Sequence, residues 1–583
     1  MPHELISKAR QQKASKTGSL VTSGIAVFCA LFFLCPILLG LMGLILPSFG
    51  FLPALGLYEF SFAPFVTFWQ HPQTYKALIS AFMIGLISTI LSLICVFILM
   101  AIGMQHKGAT LFRFIRFLIG PLIALPHSTV AIALLFLLAP SGWLFRLISP
   151  ELTGWSRPPV FGIIPDQTGW LLIAGLMLKE IPFLLFVALA HARRLDIDKW
   201  QSLGQTLGYR AMAVWLYIIW PQIYKVMRLP IFAVMAYALS VVDMTLILGP
   251  TLPPTLAVVI LQGFEDPDLW ARLPASAGAI LQVLLVVAAL ILWRVLEILC
   301  AYAVRYLRQT GRRLHHLYAL CITPFYIITS GFAGLILGLI AILLWGFARR
   351  WPFSAKLPQS FDWQLWRFDE TIIPLFGTSL FIALSASFLS LAICTLWLEA
   401  KRFTKQQERW IAIILFIPLL VPQISLLFGL QVGLSYAYLD GHIGTVIWLH
   451  ALYILPYSWL VMAPSYQLFD KRYLWLSASL GKGRIKSFFE VRFVMLIYSF
   501  ASAFIIGVAV SVALYLPTIF AGAGRINSIT VEAVTLAASG SRSPAAVAAI
   551  LQMALPLFVY IIVKSYLHLR YGRFAALKTI KGR

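Results

Sequence analysis

Twelve apolar stretches, each close to the length a helix needs to cross a bilayer, divide this chain of 583 residues. A spanning helix takes ~20 predominantly apolar residues. In the first half the stretches lie near 22–46, 77–103, 117–138, 170–191, 230–248 and 277–297. In the second they lie near 325–347, 374–398, 410–430, 445–465, 497–519 and 544–565. Hydrocarbon offers no partner to a bare amide or carbonyl, so each segment must satisfy its own backbone, which dictates helices rather than open strands. The first stretch follows Lys8, Arg10, Lys13 and Lys16 as a leader would. It outruns the roughly 7–15 apolar residues of a signal peptide and reads as a retained helix. Hydrophobic residues make up 61% and charged residues 11% of the chain, against about 25% charged in soluble domains. That balance excludes both a soluble enzyme and a disordered chain. None of the six cysteines forms a CxxC pair, so neither a disulfide framework nor a zinc site is indicated.

A net charge of +24 would by itself suit a nucleic-acid partner. Its distribution argues otherwise. Alternate loops, starting from the N-terminus, hold 33 Lys and Arg on one side and 10 on the other. Lys564 is counted there with the C-terminal tail, and Lys179 and Arg294 fall inside helices. Basic loops remain cytoplasmic, which predicts both termini in the cytoplasm and the excess charge against anionic lipid headgroups. One loop departs: in 348–373, Arg349, Arg350, Lys356 and Arg367 face outward against Asp362, Asp369 and Glu370.

The halves also share sequence. Glu180-Ile-Pro182-Phe-Leu-Leu-Phe-Val-Ala-Leu-Ala190 is similar to Ile454-Leu-Pro456-Tyr-Ser-Trp-Leu-Val-Met-Ala-Pro464, an offset of 274 at the prolines. Gln205-Thr-Leu-Gly208-Tyr-Arg210 is similar to Ala478-Ser-Leu-Gly481-Lys-Gly483, at 273, and Leu239-Ser240-Val241 to Val510-Ser511-Val512, at 271. Leu125-Pro126-His127 and Val421-Pro422-Gln423 are 296 apart, which places an insertion at roughly 140–169 in the first half. The expected fold is all-α, twelve transmembrane helices as a six-plus-six tandem repeat, with a path between two like-oriented halves. The expected segments are an N-terminal region (1–69), a first repeat (70–298), a linker with the seventh helix (299–369), a second repeat (370–566) and a basic tail (567–583).

Between the fourth and fifth helices of each half lies a basic loop that reads as short helix, turn, helix. The first contains Ser202-Leu203-Gly204-Gln205-Thr-Leu-Gly208-Tyr209-Arg210 and continues to Ile218-Ile-Trp220-Pro221. It resembles the EAA loop of ABC-importer membrane subunits: E-A-A, three residues, G, nine residues, I, one residue, L-P. Gly208, Ile218 and Pro221 fall at that spacing, while Ser202, Leu203 and Gly204 replace E-A-A and Trp220 replaces Leu. The second copy, Trp475-Leu476-Ser477-Ala478-Ser479-Leu-Gly481-Lys482-Gly483-Arg484, keeps Gly481, has Val491 for Ile and has Val494 where Pro is usual. A short helix ended by a flexible glycine can project as a knob. The resemblance implies a type I permease fold in a bacterial inner membrane. It also implies two copies of an ABC ATPase subunit, each gripping one loop, and a periplasmic solute-binding protein. ATP and Mg would sit on the ATPase, with no cofactor on this chain. Fused double permeases of this kind resemble the thiamine and ferric-iron importer branch. Pro140-Ser-Gly-Trp143 and Trp155-Ser-Arg-Pro158-Pro159 make the chain similar to the Ynj-type permeases.

The sequence carries no G-x-x-x-x-G-K-[ST] phosphate loop, since Leu476 stands where the Gly before Gly481-Lys482 would be, and no HExxH or GxSxG. ATP hydrolysis therefore belongs to another chain. Three intramembrane charges, Lys179, Glu180 and Asp243, are expected to face the bundle interior. Asp243, expected on the fifth helix with Leu514 as its repeat position, either selects a cationic solute or bridges to Lys179. Ser240 and Ser511 share that region, and Pro126, Pro182, Pro422 and Pro456 either kink helices around a cavity or serve packing alone. His127 reads as a packed or water-facing core residue, and His315 and His316 as a solvated turn. A secondary transporter is the alternative, but Met104-Gln-His-Lys-Gly-Ala-Thr-Leu-Phe-Arg113 lacks the Asp of a G-x-x-x-D-R loop. A membrane enzyme acting on lipid precursors would need a catalytic cluster that the sequence does not show. A thiamine-like cation, ferric iron, an oxyanion and a polyamine all remain open as substrates.

Overall fold

The computed structural model describes residues 24, 27–105, 110–159, 166–314, 316–363, 366, 372–400 and 414–580. Lys8, Arg10, Lys13, Lys16, Lys107, His315, Arg367, Asp369, Glu370, the basic run at 401–409 and the end of the tail lie outside the described residues. The helices of the first half are α1 (Val27–Ser48), α2 (Ala63–Gln70), α3 (Thr74–Gln105), α4 (Thr110–Ala124), α5 (His127–Leu138), α6 (Trp143–Ile148), α7 (Trp170–Ala192), α8 (Ile197–Thr206), α9 (Ala211–Val214), α10 (Trp220–Ser240), α11 (Asp243–Leu248), α12 (Leu256–Glu265) and α13 (Arg272–Gln309). Those of the second are α14 (Leu317–Phe347), α15 (Ile372–Ala400), α16 (Ile414–Leu420), α17 (Gln423–Tyr436), α18 (Ile443–Leu468), α19 (Arg472–Ser479), α20 (Arg484–Ser487), α21 (Ile497–Ala513), α22 (Leu516–Gly522), α23 (Ile529–Ala538) and α24 (Arg542–Ile580). A small antiparallel hairpin, β1 (Ala348–Arg350) with β2 (Ser360–Phe361), follows α14.

Among the described residues, ten helical runs are long and apolar enough to cross a membrane. Two bent pairs raise the number to twelve if each is one crossing: α16 with α17, bent by 102°, and Arg484–Phe493 with α21, bent by 81°. The crossings fall where the apolar stretches lie, but four are not single rods: the bent α16–α17 pair occupies the 410–430 stretch, and three more are interrupted. The 117–138 stretch is broken at Leu125 and Pro126 into α4 and α5, because proline has no amide to donate and clashes with a preceding helical turn. The 230–248 and 497–519 stretches each end early, at Ser240 and Ala513, and restart as α11 and α22. Asp243 therefore opens a short separate helix rather than riding on the fifth. Its counterpart by element is Leu516, the first residue of α22, and not Leu514.

Element boundaries recur at a constant spacing of 273: α9 against α20, the starts of α11 and α22, and both ends of α12 and α23. The packing crosses between halves in the same paired way. α1 lies against α17, where a Cβ on Gly43 would stand 2.1 Å from the Gly429 carbonyl oxygen. α14 lies against α5, where a Cβ on Gly338 would meet the Ala133 oxygen at 2.7 Å. Small residues admit such backbone contact in a solvent that gives helices no hydrophobic reason to associate. Two buried polar contacts repeat the exchange. Ser425 Oγ on α17 donates to the Ala279 oxygen on α13 at 3.1 Å. Gln552 on α24 receives Thr129 Oγ1 at 2.9 Å and donates to Ser128 Oγ at 2.8 Å, both on α5.

After α5, the short helix α6 is tied to the stretch that follows α14. Arg146 on α6 is 3% exposed and donates to the carbonyls of Ser141, Trp351 and Pro352. Its guanidinium lies over Trp345 at 5.2 Å and Trp351 at 5.0 Å, and Arg542 covers Trp345 at 5.1 Å. Cation–π contact of this buried kind is worth about 2 kcal/mol.

Gly429→Val places side-chain atoms inside the α1 backbone, an overpacking that costs about 1–3 kcal/mol or more. It should lower the thermal midpoint of the detergent-solubilised chain. Gly433→Val on the same helix, with nothing within 4 Å of its Cβ position, should leave the midpoint unchanged.

Candidate functional site

The two basic loops fold alike. α8 is capped by Asp196, whose carboxylate accepts the Lys199 amide, and α19 is preceded by Asp470, which accepts the Arg472 amide at 2.9 Å. Gly208 and Gly481 follow the helices with the same φ of +78°, a region closed in practice to β-branched residues. Gly208 N donates to Gln205 O and Tyr209 N to Gly204 O, both at 2.9 Å. Gly481 N donates to Ala478 O at 3.0 Å and Lys482 N to Ser477 O at 3.2 Å. This 5→2 and 6→1 pairing is a Schellman stop. Each glycine turn is closed by these two hydrogen bonds, one from the glycine and one from the residue after it.

Extended residues follow, Arg210 and Gly483 capping α9 and α20, and each loop then enters a π-helical turn, Trp215–Ile219 and Phe488–Phe493. Ile218 and Val491 lie in these turns, and Pro221 sits in the first turn of α10, where its missing amide goes unneeded. Two contacts fold each knob back onto its next helix. A Cβ on Gly204 would stand 2.2 Å from Val214 Cγ2; at the same place in the second loop Ser477 and Ser487 pair through their hydroxyls at 2.8 Å. Ser202 and Ser479 turn their hydroxyls onto their own helices, to Asp198 O and Leu476 O.

Three exposed apolar positions on each short helix are matched, while Trp475, 65% exposed, stands where the first loop has Ser202. Trp200, Leu203 and Leu207 are 37%, 47% and 69% exposed; Tyr473, Leu476 and Leu480, each 273 further on, are 48%, 59% and 70% exposed. Their surroundings differ. Lys482 pairs with Glu490 and holds that carboxyl below the usual carboxylate range. Arg484 donates to the Glu399 carbonyl and Arg492 pairs with the Glu399 carboxylate, tying the second loop to α15.

The intramembrane charges lie inside the bundle, as expected. Lys179 on α7 donates to Ile123 O at 2.8 Å, Leu122 O at 3.3 Å and Leu125 O. It thus supplies the hydrogen bonds that the break before Pro126 strips from α4. Asp243 accepts from Tyr237 Oη at 3.2 Å, and among the described residues Lys179 and Asp243 form no ion pair, so the direct-bridge reading is corrected. Glu180 Oε2 accepts from Ser92 Oγ at 2.9 Å while its Oε1 is buried without a partner. Ser240 bonds its own helix, and Pro126 and Pro422 cap α5 and α17. Ser511 meets His450 Nδ1 at 2.8 Å, whose Nε2 meets Thr518 Oγ1 at 3.1 Å. His450, Tyr237 and Gln552 were not singled out by sequence: a lone polar residue in an apolar run shows no partner until helices pack. His127 stacks 4.6 Å from Tyr237.

Compared with known proteins, the chain is 29% identical over 439 residues to the "Inner membrane ABC transporter permease protein YnjC" of Escherichia coli (strain K12), covering 75% of this chain and 78% of that protein. No family model and no solved structure matches it.

Lys179→Met leaves three helix-end carbonyls without a donor, at about 1–3 kcal/mol for each that stays unpaired. A lowered thermal midpoint of the detergent-solubilised chain is the expected result; an unchanged midpoint would contradict the capping role.

Proposed function

We infer that this chain is the membrane-spanning permease subunit of an ABC transporter of the Ynj type, residing in the inner membrane, and that it imports its solute. The single observation that carries the coupling assignment is the pair of short helices ended by glycine turns of equal φ, each with three exposed apolar residues at corresponding positions. An apolar ridge held by a pinned turn suits a groove on a soluble partner, because burying it removes apolar surface from water at about 25 cal/mol per Å². Two matched ridges suit two copies of one partner. That partner is the ATP-binding subunit, since this sequence has no phosphate loop of its own.

In this reading both knobs and both termini face the cytoplasm. ATP binding draws the two partner subunits together, and each carries its knob as a rigid body. The first knob continues through the π-turn into α10 without interruption, so its displacement reaches the break at Ser240 and the α11 segment holding Asp243. The second is continuous only through its π-turn and bends by 81° before α21. The halves then rock about the crossed α1–α17 and α14–α5 contacts, opening the path alternately to each side. A solute-binding protein delivers substrate to the outer face. Pro126, Pro422, Ser240, Ser511, Lys179, Glu180 and Asp243 surround the route.

Leu203→Asp with Leu476→Asp should abolish ATP-driven uptake and release the ATP-binding subunit while the chain still inserts and unfolds at its normal midpoint. Gly208→Val with Gly481→Val should uncouple transport likewise, through the strained turn. Full uptake by both double variants would overturn the coupling assignment. Solute movement by the purified chain alone under an ion gradient would favour a secondary transporter instead.

A further inference from the structure

The two knobs are not equally built from their own sequence, and the difference is made up by another part of the chain. Residues 482–490 carry Lys482, Arg484, Lys486 and Glu490, a net +2, beside the second ridge. The equivalent stretch 209–217 carries Arg210 alone, a net +1. Where the second loop has Lys482 and Arg484, the first has Tyr209 and Ala211. The second glycine stands open, with nothing within 4 Å of its Cβ position. The first does not: a Cβ on Gly208 would stand 3.1 Å from Arg313 Cζ.

Arg313 belongs to the segment that joins the two halves after α13. Its neighbour Arg312 is anchored to the first loop through the backbone, its carbonyl accepting from Tyr217 Oη at 2.9 Å. Gly311 and Leu314, both at positive φ (66° and 45°), turn the segment back toward the loop. Between the segment and the loop lies an open cleft of about 480 Å³ lined by Gly208, Tyr209, Arg210, Leu314 and Tyr318. Arg312 and Arg313 are exposed. The inter-half segment thus sets the Arg313 guanidinium beside the first glycine turn, with Arg312 anchored next to it at Tyr217, on a loop that carries less charge of its own.

We propose that this segment completes the first docking knob, Arg312 and Arg313 supplying the positive charge that Lys482 and Arg484 supply to the second. The partner it fits is a subunit with an apolar groove rimmed by acidic side chains, present in two identical copies. Identical grooves require like charge around both ridges, and charge at an interface rim sets specificity and encounter more than bulk affinity. The proposal rests on the coupling reading above and goes beyond it, assigning a docking role to residues outside either EAA-like loop.

The test uses the full chain purified from its native membranes with its ATP-binding subunit bound. Retained subunit per chain is measured after washes of rising salt. R312A/R313A should lose half of the bound subunit at a salt concentration that leaves the unaltered complex intact. K482A/R484A should also lose half, and the four substitutions together should lose nearly all. R312K/R313K should restore retention, which a merely structural loss would not, and the Tyr217 anchor is untouched because it uses the Arg312 carbonyl. Full retention by R312A/R313A at the salt that halves K482A/R484A would overturn the proposal while leaving the coupling loops in place. Full retention by L203D/L476D as well would show instead that the coupling reading itself had failed.

Discussion

The structure depends on backbone-to-backbone contact between helices of opposite halves. α1 reaches α17 through Gly40, Gly43 and Gly429, and α14 reaches α5 at Gly338 and Ala133, so each half's first helix is packed on the other half's broken helix. In lipid the apolar effect does not drive helices together, and close van der Waals fit at small residues takes its place. The crossed arrangement means that neither half is complete alone. Gln552 and Ser425 add hydrogen bonds across the same division of the chain.

Broken helices are the second consequence of the solvent. A break within the membrane strands carbonyls that water cannot reach, and irregular backbone is tolerated there only when buried and satisfied. Lys179 answers that demand for the end of α4. Glu180 and Asp243 beside it accept from Ser92 and Tyr237. The remaining polar side chains there, Ser240, His450, Ser511 and Thr518, find partners on their own or adjacent helices.

The knobs turn on a smaller constraint. A helix that must stop within one residue and leave a rigid corner needs a left-handed residue, and glycine holds that conformation without strain. Gly208 and Gly481 survive in both loops where the E-A-A residues do not. The small side of each knob is kept by different chemistry, a Gly204–Val214 contact in one and a Ser477–Ser487 hydrogen bond in the other. A motif can thus lose its letters while the geometry that needed them is met by other residues of compatible size.

The sequence alone determined the solvent, the helical class and the approximate positions of the candidate crossings, because apolar length and backbone satisfaction constrain both. It also marked both knobs, since a left-handed turn leaves a glycine in the sequence. Tertiary structure decided what depends on contact. It split the third, fifth, ninth and eleventh stretches, assigned Lys179 to carbonyls instead of Asp243, and paired His450 with Ser511. It also brought Arg313, more than a hundred residues away, to Gly208. A charge in an apolar run announces that it must be satisfied, but only packing names the partner, because periodicity records which face is buried and not what lies across from it.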